Sequence, residues 1–181
     1  EKLIQKEMQD MGFLDTQFAF QFQKKKEITE KGFDEVECFV SLNPGEPLRA
    51  LREVGSGGEL SRIMLSIKTV LADTDAVPTL IFDEIDTGIS GRTAEKVGEK
   101  LQKIAAKHQV ILITHLPQIA AKADRHFLIE KNVVDGKTKT EIHALSEEES
   151  VEELARLLGG EDLTEEALQN ARSLKKKAER K

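Results

Sequence analysis

Hydrophobic and polar positions change period several times along the chain, and each change marks an element. Leu3, Ile4 and Met8 recur at helical spacing in a polar stretch that Gly12 ends, which predicts a short helix. Phe18, Phe20 and Phe22 alternate with Ala19, Gln21 and Gln23, the period of a strand with one aromatic face expected in the core. After Lys24-Lys25-Lys26 and a turn near Gly32, a second alternation runs through Val36, Cys38, Val40 and Leu42. Asn43-Pro44-Gly45 stops it, so the two strands read as an antiparallel hairpin. From Gly58 the period becomes helical, with Leu60, Ile63, Met64, Ile67, Val70 and Leu71 on one apolar face.

Pro78 resets the chain, and Thr79-Leu80-Ile81-Phe82 forms an unbroken run of the kind a parallel sheet buries on both faces. A helix follows over about 92–107, with Ala94, Val97, Leu101 and Ile104 inward. Val110–Thr114 reads as another buried strand, and Pro117 suits the first turn of a short helix. Phe127-Leu128-Ile129 reads as a third strand of that sheet, and a turn at Asp135-Gly136 leads into a partner strand over 140–144. Ser146-Glu147-Glu148-Glu149 resembles a capping box before Val151, Leu154, Leu157 and Leu158, and Gly159-Gly160 ends that helix. A last helix from about Thr164 trails into Lys175-Lys176-Lys177, expected as a solvated basic end. The fold class is therefore α/β, mainly parallel sheet flanked by helices, with an N-terminal β-hairpin.

Composition narrows the function classes. The 181 residues suffice for a domain with a real core. A net charge of −6 excludes a uniformly basic nucleic-acid wrapper, so any DNA contact is local or lies on other parts of a longer chain. A single cysteine, Cys38, excludes an intrachain disulfide framework, suits the cytoplasm and reads as a half-buried strand residue. No apolar run reaches membrane-spanning length, so no membrane partner is expected. A start at Glu1 rather than Met predicts a processed chain or a piece of a longer one.

Three features fall where an α/β sheet gathers ligands. Ser56-Gly57-Gly58-Glu59 opens a helix, where backbone N–H groups favour an anion and glycine lets a phosphate come close. Asp83-Glu84 follows an apolar strand; the first acid can hold a magnesium ion and the second can orient or deprotonate water. Thr114-His115 ends the next strand, and the histidine can donate to a terminal phosphate. Taken singly, these read as a capped loop, a strand ending in acids and a structural histidine. Their order and spacing together point to phosphoryl transfer.

These words resemble the C-terminal lobe of an ABC/SMC-type P-loop NTPase head. Ser56-Gly57-Gly58-Glu59-Leu60 resembles the ABC signature, and Leu80-Ile81-Phe82-Asp83-Glu84 resembles Walker B. Ile85-Asp86-Thr87-Gly88-Ile89-Ser90 sits where the D-loop follows, and Thr114-His115 matches the switch histidine. Three longer stretches, SLNPGEPLRALREVGSGGELSRIMLSIK, IFDEIDTGISGRTAEKVGEKL and ITHLPQIAAKADRHFLIEK, are most similar to the RecN family, bacterial SMC-like proteins of DNA double-strand-break repair. The match covers roughly residues 41–131. The Asp-Thr-Gly-Ile-Ser wording departs from the transporter D-loop.

The resemblance implies ATP and Mg2+ as cofactors, with Asp83 on the metal, Glu84 and His115 catalytic, and Ser56, Gly57, Gly58, Glu59 and Asp86 contacting nucleotide. No G-x-x-x-x-G-K-S/T occurs, so the resemblance implies that Walker A lies on an N-terminal lobe reached through a coiled coil. Residues 1–12 would end the returning coil and 13–181 would be the C-terminal head lobe, inactive by itself. The signature loop would cap ATP held by a second head, giving an ATP-dependent homodimer. The implied setting is cytoplasmic and nucleoid-associated, with DNA as a partner of the full protein. The alternatives are a condensin-like SMC or RecF-like head, or a non-hydrolysing nucleotide- or DNA-binding module; Glu84 argues against the last.

Overall fold

The computed structural model describes residues 1–30, 32–134, 137–160 and 162–179, which divide into two units, Glu1–Ile113 and Thr114–Lys181. In the first unit, helix α1 (Lys2–Asp10) buries Ile4 and Met8 against α2 (Gly57–Leu71) and α3 (Gly91–Ala105), while Leu3 faces out. Ion pairs fasten its polar side: Lys96 Nζ lies 2.5 Å from Asp10 Oδ1, and Lys100 Nζ lies 2.5 Å from Glu7 Oε2. The hydrogen bond from Lys96 holds the Asp10 carboxyl below its ordinary value.

Strands β1 (Gln17–Thr29) and β2 (Gly32–Ser41) form the expected antiparallel hairpin, with Phe18 opposite Val40, Phe20 opposite Cys38 and Phe22 opposite Val36. A short third strand, β3 (Arg49–Ala50), adds to β2. The apolar face is core at one end only. Phe18 and Val40 are buried and Cys38 is half-buried, but Phe22 is 68% exposed, so the aromatic stripe expected to be wholly core runs out of it. The Lys24–Lys26 run belongs to β1 itself, which continues to Thr29.

Among the described residues, parallel pairing is confined to β4 (Thr79–Phe82) and β5 (Gln109–Leu112), with Leu80 opposite Val110 and Phe82 opposite Leu112. Leu80 and Phe82 are buried, but Ile81 is 73% exposed, so β4 has one covered face rather than two. Helix α2 is also turned from the expected stripe. Arg62, Ile63, Leu65, Ser66 and Thr69 are buried, whereas Leu60 and Leu71 are exposed. Ser66 and Thr69 enter the core because their hydroxyls donate to the carbonyls of Arg62 and Leu65 one turn back.

In the second unit, β6 (Phe127–Val134) and β7 (Lys137–Ala144) pair only with each other among the described residues. Phe127–Ile129 is therefore not a third strand of the β4–β5 sheet. Phe127 and Ile129 are exposed, as suits a two-stranded ribbon rather than a buried strand. The Asp135-Gly136 turn lies outside the described residues. Helix α4 (Pro117–Ala120) starts on its proline. Helix α5 (Glu147–Gly159) opens with a complete capping box: Glu149 N donates to Ser146 Oγ, and Ser146 N donates to Glu149 Oε2. Leu154 and Ala155 pack with Ala120, Ala121 and Ala171 of α6 (Glu165–Glu179). Lys175 is not a solvated tail residue: its side chain is 14% exposed, with Nζ 3.1 Å from Ser150 Oγ and 2.6 Å from Glu147 Oε2.

Candidate functional site

Two segments distant in sequence meet at one end of the first unit. Ser56 is the N-cap of α2, its extended backbone turning the chain into the helix while Oγ accepts from Glu59 N at 3.3 Å. Leu60 N donates to Ser56 O, so the N–H groups of Gly57 and Gly58 head the helix. The Ser56 hydroxyl keeps its own proton for donation. Ser56 and Gly57 are exposed, whereas Gly58 is buried.

Asp83 and Glu84 leave the C-terminal end of β4, both exposed. Glu84 has φ +55, the one positive φ at a non-glycine among the described residues. That conformation costs about 1–3 kcal/mol and persists only where surrounding structure holds it. The holding groups are visible. Glu84 N donates to Asp83 Oδ1 at 2.9 Å, and Thr87 N donates to Glu84 O at 3.0 Å. Ser61 Oγ donates to Asp83 O at 2.7 Å.

The loops touch closely enough to explain both glycines. A Cβ at Gly57 would collide with Glu84 Oε2. A Cβ at Gly58 would stand 2.9 Å from Glu84 O, 2.9 Å from Thr87 Cβ and 3.2 Å from Thr87 O. The two positions differ in what must yield: a flexible side-chain tip at Gly57, backbone at Gly58. Gly58→Ala is expected to cost about 1–3 kcal/mol of stability. Gly57→Ala is expected to leave stability nearly unchanged while displacing the Glu84 carboxylate. Urea unfolding of the two variants checks this, and equal midpoints would contradict it.

The Glu84 carboxylate thus lies beside the positive end of α2, where a helix favours an anion. A phosphate arriving at that end would meet a carboxylate already there. Asp86 is 5% exposed, so its side chain is buried. His115 is exposed and lies in the second unit, between β5 and α4, where Thr114 Oγ1 accepts from Leu116 N. The structure therefore brings Ser56, Gly57, Gly58, Asp83 and Glu84 together within one unit, and His115 is described with the other.

No family model matches the chain. It is 49% identical over 150 residues to DNA repair protein RecN of Halalkalibacterium halodurans, covering 83% of this chain and 26% of that protein. It is 43% identical over 175 residues to DNA repair protein RecN of Vibrio cholerae, covering 96% of this chain and 32% of that protein. The chain belongs to the RecN family. It spans 26% and 32% of the length of these two RecN relatives. Among solved structures it is similar to the Smc head domain with a coiled coil and joint from Pyrococcus yayanosii, with TM-score 0.59 and 20% identity over 84% of this chain and 28% of that one. At that identity the likeness shows the fold: this stretch of RecN-family sequence has the fold of part of an SMC head.

Sequence reasoning missed Arg62, Ser61 and Thr87, which join α2 behind Ser56–Gly58 to the segment that follows β4. Arg62 sits on the buried side of α2 and donates from one guanidinium nitrogen to Thr87 O at 2.7 Å and to Ile85 O at 3.4 Å. A charged residue in phase with Ile63, Ser66 and Thr69 was the available signal, because burying a charge needs partners.

Proposed function

We propose that this chain is the signature-bearing half of an ATP-hydrolysing head that closes on a second head around ATP, in DNA double-strand-break repair and recombination. The observation that carries the reading is the junction of Ser56–Gly58 with Asp83–Glu84 at one end of the first unit. The family membership supports the setting, since the relatives are named DNA repair proteins.

The donor set fits a magnesium nucleotide. Mg2+ is commonly held by one or two carboxylates with phosphates and water filling its octahedron, and Asp83 is an exposed carboxylate at a strand end. When bound, Mg2+ neutralises charge on the terminal phosphates. Glu84 takes the proton of the attacking water, and His115 donates to the terminal phosphate. Ser56 Oγ–H and the N–H groups of Gly57 and Gly58 receive the phosphate of ATP held by the other head. Engagement displaces Glu84 from Gly57, because two anions cannot share the helix end.

The lysine-bearing ATP loop, in this reading, comes from an N-terminal lobe across a coiled coil that α1 terminates, and DNA is a partner of the complete protein. The protein would act in the cytoplasm, on the nucleoid. Phosphate release measured against protein concentration tests the composite site. Full-length protein should show activity per head that rises with concentration until heads are paired, and the 181-residue chain alone should show none. Concentration-independent turnover by dilute monomers, or turnover by the 181 residues alone, overturns the reading.

A further inference from the structure

Three alternate carbonyls of the segment after β4 are each held by a side chain from α2. Ser61 Oγ donates to Asp83 O, and Arg62 donates to Ile85 O and Thr87 O. Arg62 is 7% exposed, its guanidinium carbon lies 5.3 Å from the Phe13 ring centroid, and its buried Nε has no hydrogen-bond acceptor. A buried guanidinium with an unpaired N–H is expensive, and an apolar side chain of similar volume would pack there at lower cost. Packing alone therefore does not account for an arginine.

Resting on the proposed function, we propose that Arg62 is a positioning residue: it clamps the Asp83–Thr87 segment to the helix that carries Ser56–Gly58, so that Glu84 is presented for hydrolysis only while the two move as one body. The strained φ of Glu84 is what such a clamp has to hold. Burial pushes the guanidinium down from its ordinary value, with Glu59 opposing, but it stays charged at neutral pH. Arg62 touches neither water nor phosphate in this scheme. It acts through the backbone of Ile85 and Thr87.

The test uses full-length protein with Arg62→Met, Arg62→Lys and Ser61→Ala. Arg62→Met keeps the bulk over Phe13 and removes both bonds. Arg62→Lys keeps the charge but lacks the planar fork that reaches two carbonyls. Ser61→Ala removes the Asp83 tether at the open end of the contact and serves if the Arg62 variants do not fold. The measurements are kcat and KM for ATP, the unfolding midpoint, and amide exchange over 83–90.

The expected result is a fall in kcat of tenfold or more for both Arg62 variants, with KM within about threefold, since a misplacement of ~1 Å can cost ~100-fold. Amide exchange should quicken over 83–90 and stay unchanged in α5. Ser61→Ala should show a smaller fall of the same kind. Folded Arg62 variants with parental kcat overturn the clamp, as does full recovery by Arg62→Lys, which would leave only a charge effect. Should neither Arg62 variant fold, parental kcat in Ser61→Ala overturns it. If the unaltered protein itself lacks ATPase activity, the proposed function fails instead. The exchange readout still reports on the clamp: unchanged exchange over 83–90 in Arg62→Lys overturns it.

Discussion

Glu84→Gln in the full-length protein is expected to slow ATP hydrolysis by ~100-fold or more while nucleotide still binds, since general-base catalysis contributes about that much. The amide keeps the size of the side chain and one acceptor but cannot take a proton from water. The structure adds a second consequence. The carboxylate lies against Gly57 at the head of α2, where an incoming phosphate is to be received. Replacing it with a neutral amide removes the anion–anion conflict there, so the ATP-bound dimer should form more readily as well as last longer. Single-turnover hydrolysis and sizing with ATP measure the two effects separately. A variant hydrolysing near the parental rate would show that Glu84 is not the base. A dimer no more easily formed than in Asp83→Asn, which should weaken magnesium binding first, would show that the carboxylate does not compete with phosphate.

Ser56→Arg is expected to abolish ATP-driven pairing while a single head keeps its affinity for ATP. Ser56 is exposed at the start of α2, and in the proposed function an arginine there would fill the space that a partner's phosphate enters. The substitution also removes the cap on Glu59 N, worth about 1 kcal/mol. Ser56→Ala isolates that cost: it should weaken α2 slightly and reduce pairing much less. Mixing Ser56→Arg with an Asp83→Asn, Glu84→Gln protein should restore some hydrolysis where one composite site is sound and the doubly altered face still closes. Loss of ATP binding by monomeric Ser56→Arg heads would place the loop in its own subunit's site and refute action in trans.

Much of the local framework of the candidate site was legible before any fold was known. The capped start of α2, the acids ending β4, the start of α4 on Pro117 and the capping box of α5 are each set by residues within a few positions of one another. Such signals survive because an N-cap, a proline or a strand end is a local demand of the backbone. Burial was less legible. Phe22 and Ile81 have the composition of core residues and are exposed. Alternation reports which residues share a face, but it does not report whether another layer covers that face.

By itself, then, the sequence determined most element types, the antiparallel hairpin, the three candidate motifs and the chemistry they can support. Tertiary structure decided that β6 pairs with β7 rather than with β4–β5, and that α2 buries its Arg62–Ser66–Thr69 side. It also decided that Glu84 is held at φ +55 against Gly57, and that Arg62 reaches the carbonyls of Ile85 and Thr87. The reason is one of range. Caps, turns and periodicity arise from neighbours in sequence. The segment that carries Glu84 is held by local bonds to Asp83 and Thr87 and also by a helix more than twenty positions earlier, as the separation of 22 between Ser61 and Asp83 shows, and the second kind of contact exists only once the chain has folded.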